Sequence, residues 1–120
     1  MDKTRTQISV LDHEIISGLR SILGEEVNEL FSDFLEQAQF DISRLHQLFA
    51  EKNLEELSRI AHSLKGSSGS IGIAAFANSC MKLEHDAREG IESSIETYIH
   101  EIEADFEVAK QAITTMLAQK

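Results

Sequence analysis

The chain has 120 residues, a formal net charge of −10, 42% hydrophobic residues and no proline. This length fits one domain with a single core, and the apolar content is too high for a disordered chain. The excess of acidic residues argues against nucleic acid or an anionic membrane surface as a partner, because both require clustered lysine and arginine.

The first two helices are predicted from capping signals and apolar spacing. The first begins near Asp12, a good N-cap residue, and ends at Gly24. Its apolar residues are Ile15, Ile16, Leu19, Ile22 and Leu23. The second is long and begins at Glu25 and Glu26, since acidic residues favour a helix N-terminus. Its apolar residues recur every three or four positions: Val27, Leu30, Phe31, Phe34, Leu35, Ala38, Ile42, Leu45, Leu48 and Phe49.

The third helix is predicted to begin at a capping-box pattern, Asn53 to Glu56, and to reach about Ile71. Gly72 follows and is expected to break or bend the chain. Glycine adopts backbone angles that other residues avoid, so this position suits a turn between two helices.

The fourth helix is predicted over residues 74–89, with Gly90 as its stop signal. Its expected inward residues are Phe76, Ala77, Cys80, Leu83 and Ala87. A second capping box, Ser93 to Glu96, is predicted to open the last helix. The inward residues of that helix are expected to be Ile95, Tyr98, Ile99, Ile102, Phe106, Ala109, Ile113 and Leu117.

These elements predict an all-α protein, an antiparallel four-helix bundle with a short additional N-terminal helix. Linkers of only a few residues require sequential helices to pack antiparallel. We expect a single domain over residues 1–120, with its core at about 12–117.

Cys80 is the only cysteine, which excludes an internal disulfide and suggests a reducing compartment. Its helical spacing from Phe76 and Leu83 predicts a small buried side chain rather than a nucleophile. The sequence has no secretory signal, and its apolar runs are too short to span a bilayer. We therefore expect a cytoplasmic protein, and the start at Met1 without a flexible linker favours a free-standing chain.

His62 is the first candidate functional residue. On a helical wheel, Leu57, Ile60, Leu64 and Ile71 gather on one side, and His62 points the opposite way. Its own stripe contains Glu55, Ser58, Arg59, Lys65, Gly66 and Gly69, with no large apolar residue. The imidazole is therefore expected to face water, with a cation one turn away and two glycines that remove bulk beside it.

Other chemistries fit the sequence poorly. The glycine-rich run 66–72 lacks the strand and the lysine position of nucleotide-binding loops, so Gly66 and Gly69 are expected to lie within a helix. The histidines do not pair at helical spacing, so no metal site is predicted. No serine lies on the strained turn that a serine–histidine–acid triad would use.

His62 with Lys65 therefore carries the functional hypothesis. Neutral imidazole is a good nucleophile near pH 7. A phosphoryl group on it would add negative charge, which Lys65 could reach from the same helix face. The sequence shows nothing else needed for independent catalysis, so the group would have to come from, and leave to, another protein.

The run Ala61-His62-Ser63-Leu64-Lys65-Gly66-Ser67-Ser68, followed by Gly72, Cys80, Leu83-Glu84 and Arg88, resembles the motif of the histidine-containing phosphotransfer (HPt) domain. The resemblance extends over nearly the whole chain and implies a four-helix bundle with an exposed active histidine. It implies that His62 is the phosphoacceptor, that Lys65 stabilises the phosphoryl charge and that Gly66 gives the partner steric access. By the same resemblance, Leu83, Glu84 and Arg88 are interpreted as structural.

The resemblance implies a phosphorelay intermediate that takes a phosphoryl group from a receiver-domain aspartate and passes it to another receiver. Receiver domains or a hybrid sensor histidine kinase are the implied partners, and the receiver would hold Mg²⁺. We expect a monomer with no cofactor and no autonomous kinase or phosphatase activity.

Two alternatives stay open at this point. The first is a bundle that docks a receiver or kinase without carrying phosphate, although such a protein would have no need of His62, Lys65 and Gly66. The second is an enzyme with a buried metal or cofactor, for which the sequence shows no inward polar ligands.

Overall fold

The computed structural model describes residues 8–119, and the regular elements in that range are all helices. In chain order they are α1 (His13–Leu23), α2 (Glu26–Ser43), α3 (Leu45–Ala50), α4 (Leu54–Ser70), α5 (Ala74–Glu89) and α6 (Ile95–Ala118). The long helices form a closed ring of contacts, because α2 and α5 each pack against both α4 and α6. The predicted all-α bundle is therefore confirmed. The predicted domain also includes residues 1–7 and 120, which lie outside the described residues.

Neighbouring helices pack antiparallel. Between α4 and α5, a Cβ on Gly69 would lie 3.9 Å from that of Ala77, whereas His62 meets Glu84 further along α5. At these contacts, residue numbers increase along α5 as they decrease along α4, so the two helices run antiparallel. The contacts between α5 and α6 have the same sense: Ser79 with Asp105 and Lys82 with Glu101.

The prediction of one continuous helix over residues 25–49 is wrong, because the chain is interrupted at Arg44. The Arg44 backbone N–H donates to the carbonyl of Asp41, three residues back, at 3.1 Å. The Ser43 hydroxyl also donates to the Phe40 carbonyl at 2.6 Å. Such bonds tighten or bend a helix. The apolar stripe continues across the break into α3, so periodicity alone could not show the interruption.

Of the two predicted capping boxes, the one at Asn53 provides an N-cap hydrogen bond. The Asn53 side chain accepts a hydrogen bond from the Glu56 backbone N–H at 3.2 Å, which confirms the start of α4. The box predicted at Ser93 is wrong. The residue that precedes α6 is Ser94, and its side chain does not cap the helix. Its hydroxyl instead donates to Asp86 of α5, so a tertiary contact replaces the local cap.

Gly72 forms the predicted turn between α4 and α5, with a φ of +85°. A Cβ at this position would lie 3.1 Å from both the Asp12 carbonyl oxygen and Ile16 Cγ1. The Asp12 backbone N–H donates to the Gly72 carbonyl at 2.7 Å. Glycine is required here both for the backbone angle and for the close approach of the chain before α1.

The short helix α1 buries less apolar surface than its pattern predicts. Ile16 is buried, but Ile15 is 40% and Ile22 81% exposed. A lone helix on the side of a bundle buries one narrow face, so a wide apolar stripe leaves some residues in water.

The core contains the inward residues of the long helices, including Cys80, whose side chain is fully buried as predicted. Burial raises the pKa of the Cys80 thiol, which keeps it protonated and unreactive. In α6, Tyr98 and Leu117 are partly buried and pack against the core at their predicted inward positions, and Met116 is buried as well. Within residues 8–119, none of the helices combines the length and the apolar character that a membrane span requires.

Candidate functional site

His62 lies near the middle of α4, and its side chain is 66% exposed. Leu57, Ile60 and Leu64 of the same helix are buried in the core. The predicted orientation of His62 is therefore confirmed, because a helix that buries one face must present the opposite face to solvent.

The His62 ring is held by a carboxylate from the neighbouring helix. Its Nδ1 lies 2.8 Å from Oε2 of Glu84 on α5. An ionised carboxylate only accepts hydrogen bonds, so Nδ1 must carry the proton in this contact. In a neutral imidazole the lone pair then lies on Nε2. Glu84 thereby fixes both the ring orientation and the nitrogen that is free to react.

Glu84 is buried and is surrounded by three basic groups. Its side chain is 4% exposed, and its Oε1 lies 3.0 Å from Nζ of Lys65. Arg88, one turn further along α5, donates to the same carboxylate. Burial acts to raise the pKa of Glu84, but the hydrogen bonds from Lys65 and His62, with their charges, outweigh it and lower that pKa. Glu84 is therefore an ionised, buried anchor shared by His62, Lys65 and Arg88.

Glu84 was predicted to be structural, and its contact with His62 was not predicted from the sequence. A signal was present, because Glu84 lies four residues after Cys80 and three before Ala87, on the inward face of α5. A carboxylate on such a face needs cationic or donor partners. The sequence could not show which helix would supply them. Lys65 was expected only to share a helix face with His62, and its ammonium group also pairs with Glu84.

We expect Glu84→Gln to remove part of the acid sensitivity of the fold. Because the folded-state pKa of Glu84 lies below its usual value of 4.5, the unfolded chain binds the proton more readily. Its stabilising contribution is present above about pH 4.5 and is lost as the pH falls through the folded-state pKa. The variant should be less stable at pH 7, by about 1 to 3 kcal/mol for lost charge-assisted bonds, and should lose less stability on acidification.

Urea unfolding at pH 7 and pH 4 measures this effect. Glu89→Gln is the matched control, since Glu89 is an exposed carboxylate on the same helix. If the two variants show the same pH dependence, the buried cluster does not stabilise the fold.

Gly66 lies in α4, four residues after His62, and is exposed. A Cβ built on it would meet no atom within 4 Å, so the glycine does not serve internal packing. Gly69 differs, because its missing Cβ would be in ordinary contact with Ala77. Of the two glycines expected to clear space beside His62, Gly66 has the open surroundings and Gly69 faces α5.

Residues 66–70 belong to α4, which confirms that Gly66 and Gly69 are helical. The Ser68 hydroxyl is buried and donates to the Leu64 carbonyl at 2.6 Å. The Ser67 hydroxyl donates to the same carbonyl at 3.3 Å. These local bonds occupy the hydroxyls, and a helix offers no loop of free backbone N–H groups for a phosphate.

The histidines that looked scattered in sequence are not all isolated in space. His46 of α3 and His100 of α6 lie with their ring centroids 5.2 Å apart. Both contact the carboxylate of Glu103. Spacing along the sequence reveals histidine pairs only within one helix, so it does not show that α3 and α6 bring His46 and His100 together.

Comparison with known proteins decides the family. The family model of the Hpt domain matches residues 29–119, which is most of the chain. The chain belongs to the Hpt domain family. His62, Lys65, Gly66 and Glu84 of this Hpt domain all lie inside the matched range, whereas α1 lies before it.

Two fungal relatives are similar to this Hpt domain over part of its length. Phosphorelay intermediate protein YPD1 of Saccharomyces cerevisiae is 38% identical over 61 residues, which cover 50% of this chain and 36% of that protein. The Candida albicans protein of the same name is 33% identical over 52 residues, covering 43% and 28%. The aligned segments thus span about a third of the length of these curated relatives.

Two solved structures share the fold of this Hpt domain. Histidine-containing phosphotransfer protein B of Pseudomonas aeruginosa superposes with a TM-score of 0.89 at 23% identity, covering 95% of this chain and 99% of that one. A rice protein assigned to the same class gives 0.81 at 22% identity, covering 92% and 81%. At this level of identity the likeness supports the bundle architecture alone.

Proposed function

We propose that this Hpt domain is a phosphorelay intermediate that accepts a phosphoryl group on His62 from a receiver-domain aspartate and passes it to another receiver. The observation that carries the proposal is the exposed His62 imidazole, whose Nδ1 is bound by the buried carboxylate of Glu84. The names of the two fungal relatives, both phosphorelay intermediate proteins, support the same role.

The geometry suits attack by Nε2 on phosphorus. The new bond joins Nε2 to phosphorus, the bond from phosphorus to the aspartyl oxygen breaks, and the aspartate leaves as a carboxylate. The reaction runs in line through a loose transition state. The proton stays on Nδ1, hydrogen-bonded to Glu84. The negative charge of Glu84 compensates the positive charge that develops on the ring. The reverse sequence returns the phosphoryl group to a second receiver.

The position of Lys65 suits a role in stabilising a phosphoryl group on His62. Its Nζ shares the Glu84 carboxylate with His62 in the structure, and its side chain is 36% exposed. A phosphoryl group on His62 would bring a second set of anionic oxygens to the same helix face. We propose that the Lys65 ammonium then stabilises the phosphoryl charge, as the sequence predicted.

Replacing Lys65 by alanine should slow transfer without abolishing it. The loss of one charge-assisted contact, about 1 to 3 kcal/mol, corresponds to a rate reduction of roughly five- to 150-fold. The measurement is the rate of phosphoryl transfer from a saturating receiver, with Lys82→Ala as control. Lys82 pairs with Glu101 between α5 and α6 and does not contact Glu84. Equal rates in wild type and the Lys65 variant would leave Lys65 without a role in transfer.

We also propose which metal ion, partners and compartment the reaction involves. The receiver would hold the Mg²⁺ ion, and this chain would contribute no cofactor and no autonomous kinase or phosphatase activity. Its partners would be receiver domains or a hybrid sensor histidine kinase in the cytoplasm, and it would act as a monomer.

The proposed function is tested by mixing the chain with a phosphorylated receiver and Mg²⁺. We expect label on the chain that is labile in acid and stable in base, as a phosphoramidate bond requires. Without the receiver, incubation with ATP and Mg²⁺ should give no label. A receiver that binds but transfers no label would instead support a docking module without phosphate.

A further inference from the structure

We propose that His46, Glu103 and His100 form a surface binding site for a divalent transition-metal ion of the zinc type. The site joins α3 to α6 and shares no residue with the cluster around His62 and Glu84. It is independent of the phosphotransfer function proposed above.

The donor atoms already converge. Nε2 of His46 lies 3.1 Å from Oε2 of Glu103, and Nδ1 of His100 lies 3.2 Å from Oε1 of the same carboxylate. One ligand atom from each of the three residues lies within 4.8 Å of the others. In a tetrahedral zinc site with bonds of about 2.0–2.1 Å, neighbouring donor atoms are roughly 3.3–3.4 Å apart. Small side-chain rotations therefore suffice to bring the three donors around one ion.

The chemistry of the donor set selects the class of ion. Imidazole nitrogens suit zinc, copper and nickel, whereas Mg²⁺ and Ca²⁺ prefer all-oxygen sites. Two histidines and one carboxylate are a recurrent zinc ligand set, which leaves a fourth position for water. Zinc is the appropriate probe, because copper binds most nitrogen sites with higher affinity and discriminates less.

A further carboxylate lies near His100 without a hydrogen bond to it. Nε2 of His100 lies 3.9 Å from Oε2 of Glu96, one turn earlier in α6, which is beyond hydrogen-bond distance. Glu96 is therefore assigned no role in the site.

The site is open to an incoming ion. The side chains of His46, His100 and Glu103 are 46%, 62% and 38% exposed. Because α3 follows directly on the break at Arg44, an ion held by His46 would also tie this short helix to α6. Zinc should therefore raise the melting temperature of the folded protein, since it binds the folded arrangement and not the unfolded chain.

The test is calorimetric titration of the full chain with zinc chloride at pH 7.5 in a buffer that does not bind metal. We expect one ion per chain. His46→Ala, His100→Ala and Glu103→Gln should each weaken binding by about tenfold or more, because each removes a ligand. Circular dichroism checks that the variants keep their helicity. The expected zinc-induced rise in melting temperature, a few degrees in wild type, should disappear in the same variants.

Two control variants distinguish a built site from scattered histidines. His85→Ala removes an exposed histidine whose Nδ1 contacts the adjacent Asp86, outside the proposed site. His62→Gln removes the histidine paired with Glu84. Both should bind zinc as the wild type does. The proposal is overturned if either control weakens binding as much as His100→Ala does, or if the ligand variants bind normally. Zinc-dependent dimers in sedimentation experiments would overturn it as well, because the ligands would then come from two chains.

Discussion

Replacing His62 by glutamine should abolish phosphoryl acceptance while leaving the fold intact. Glutamine has no nucleophilic nitrogen, so no phosphoramidate can form at this position. The side chain is 66% exposed, and exposed substitutions usually change stability by less than about 0.5 kcal/mol. The stability lost with the contact to Glu84 should stay within this limit, because Lys65 and Arg88 still neutralise the buried carboxylate. The measurements are transfer of label from a phosphorylated receiver and the melting temperature.

His85→Gln is the matched control for this experiment. His85 is also exposed and also contacts a carboxylate, since its Nδ1 lies 3.0 Å from Oδ1 of Asp86. The control should keep full phosphoryl acceptance. Label retained in the His62 variant would place the acceptor elsewhere in the chain. A large fall in its melting temperature would mean that His62 has a mainly structural role.

Gly66→Gln should impair phosphotransfer and leave the protein equally or more stable. Glycine within a helix is less favourable than a straight-chain residue by up to roughly 1 kcal/mol. No atom lies within 4 Å of the position where its Cβ would be, so the folded protein has room for a side chain. The new side chain would stand one turn from His62, where the receiver's aspartate must approach. Transfer rates and thermal unfolding measure the two effects separately.

Gly18→Gln provides the control for helix propensity. Gly18 lies in α1, and a Cβ there would likewise meet no atom within 4 Å. Both variants should therefore gain a similar amount of stability. If the Gly66 variant transfers at the wild-type rate, the open space beside His62 is not needed by the partner. If it melts much lower than the Gly18 variant, Gly66 serves the fold rather than access.

The helical architecture and the face on which His62 lies could both be predicted from the sequence. Both follow from local periodicity, because a helix with apolar residues every three or four positions must bury that stripe. Leu57, Ile60 and Leu64 are buried as their spacing predicts, which leaves His62 in solvent. Gly72 was also predictable as a turn, since the backbone angle that it adopts is one that few other residues tolerate.

The groups that surround the reactive side chains could not be predicted, because they depend on how the helices pack. Glu84 lies 22 residues from His62, and Glu103 lies 57 residues from His46. Periodicity places each residue on a face of its own helix, but the partner across the interface depends on how two helices are aligned. The interruption at Arg44 is similar, because its hydrogen bonds leave the apolar pattern unchanged. A helical wheel predicts the face of the helix on which a side chain lies, whereas the packing of the helices determines which residues it contacts there.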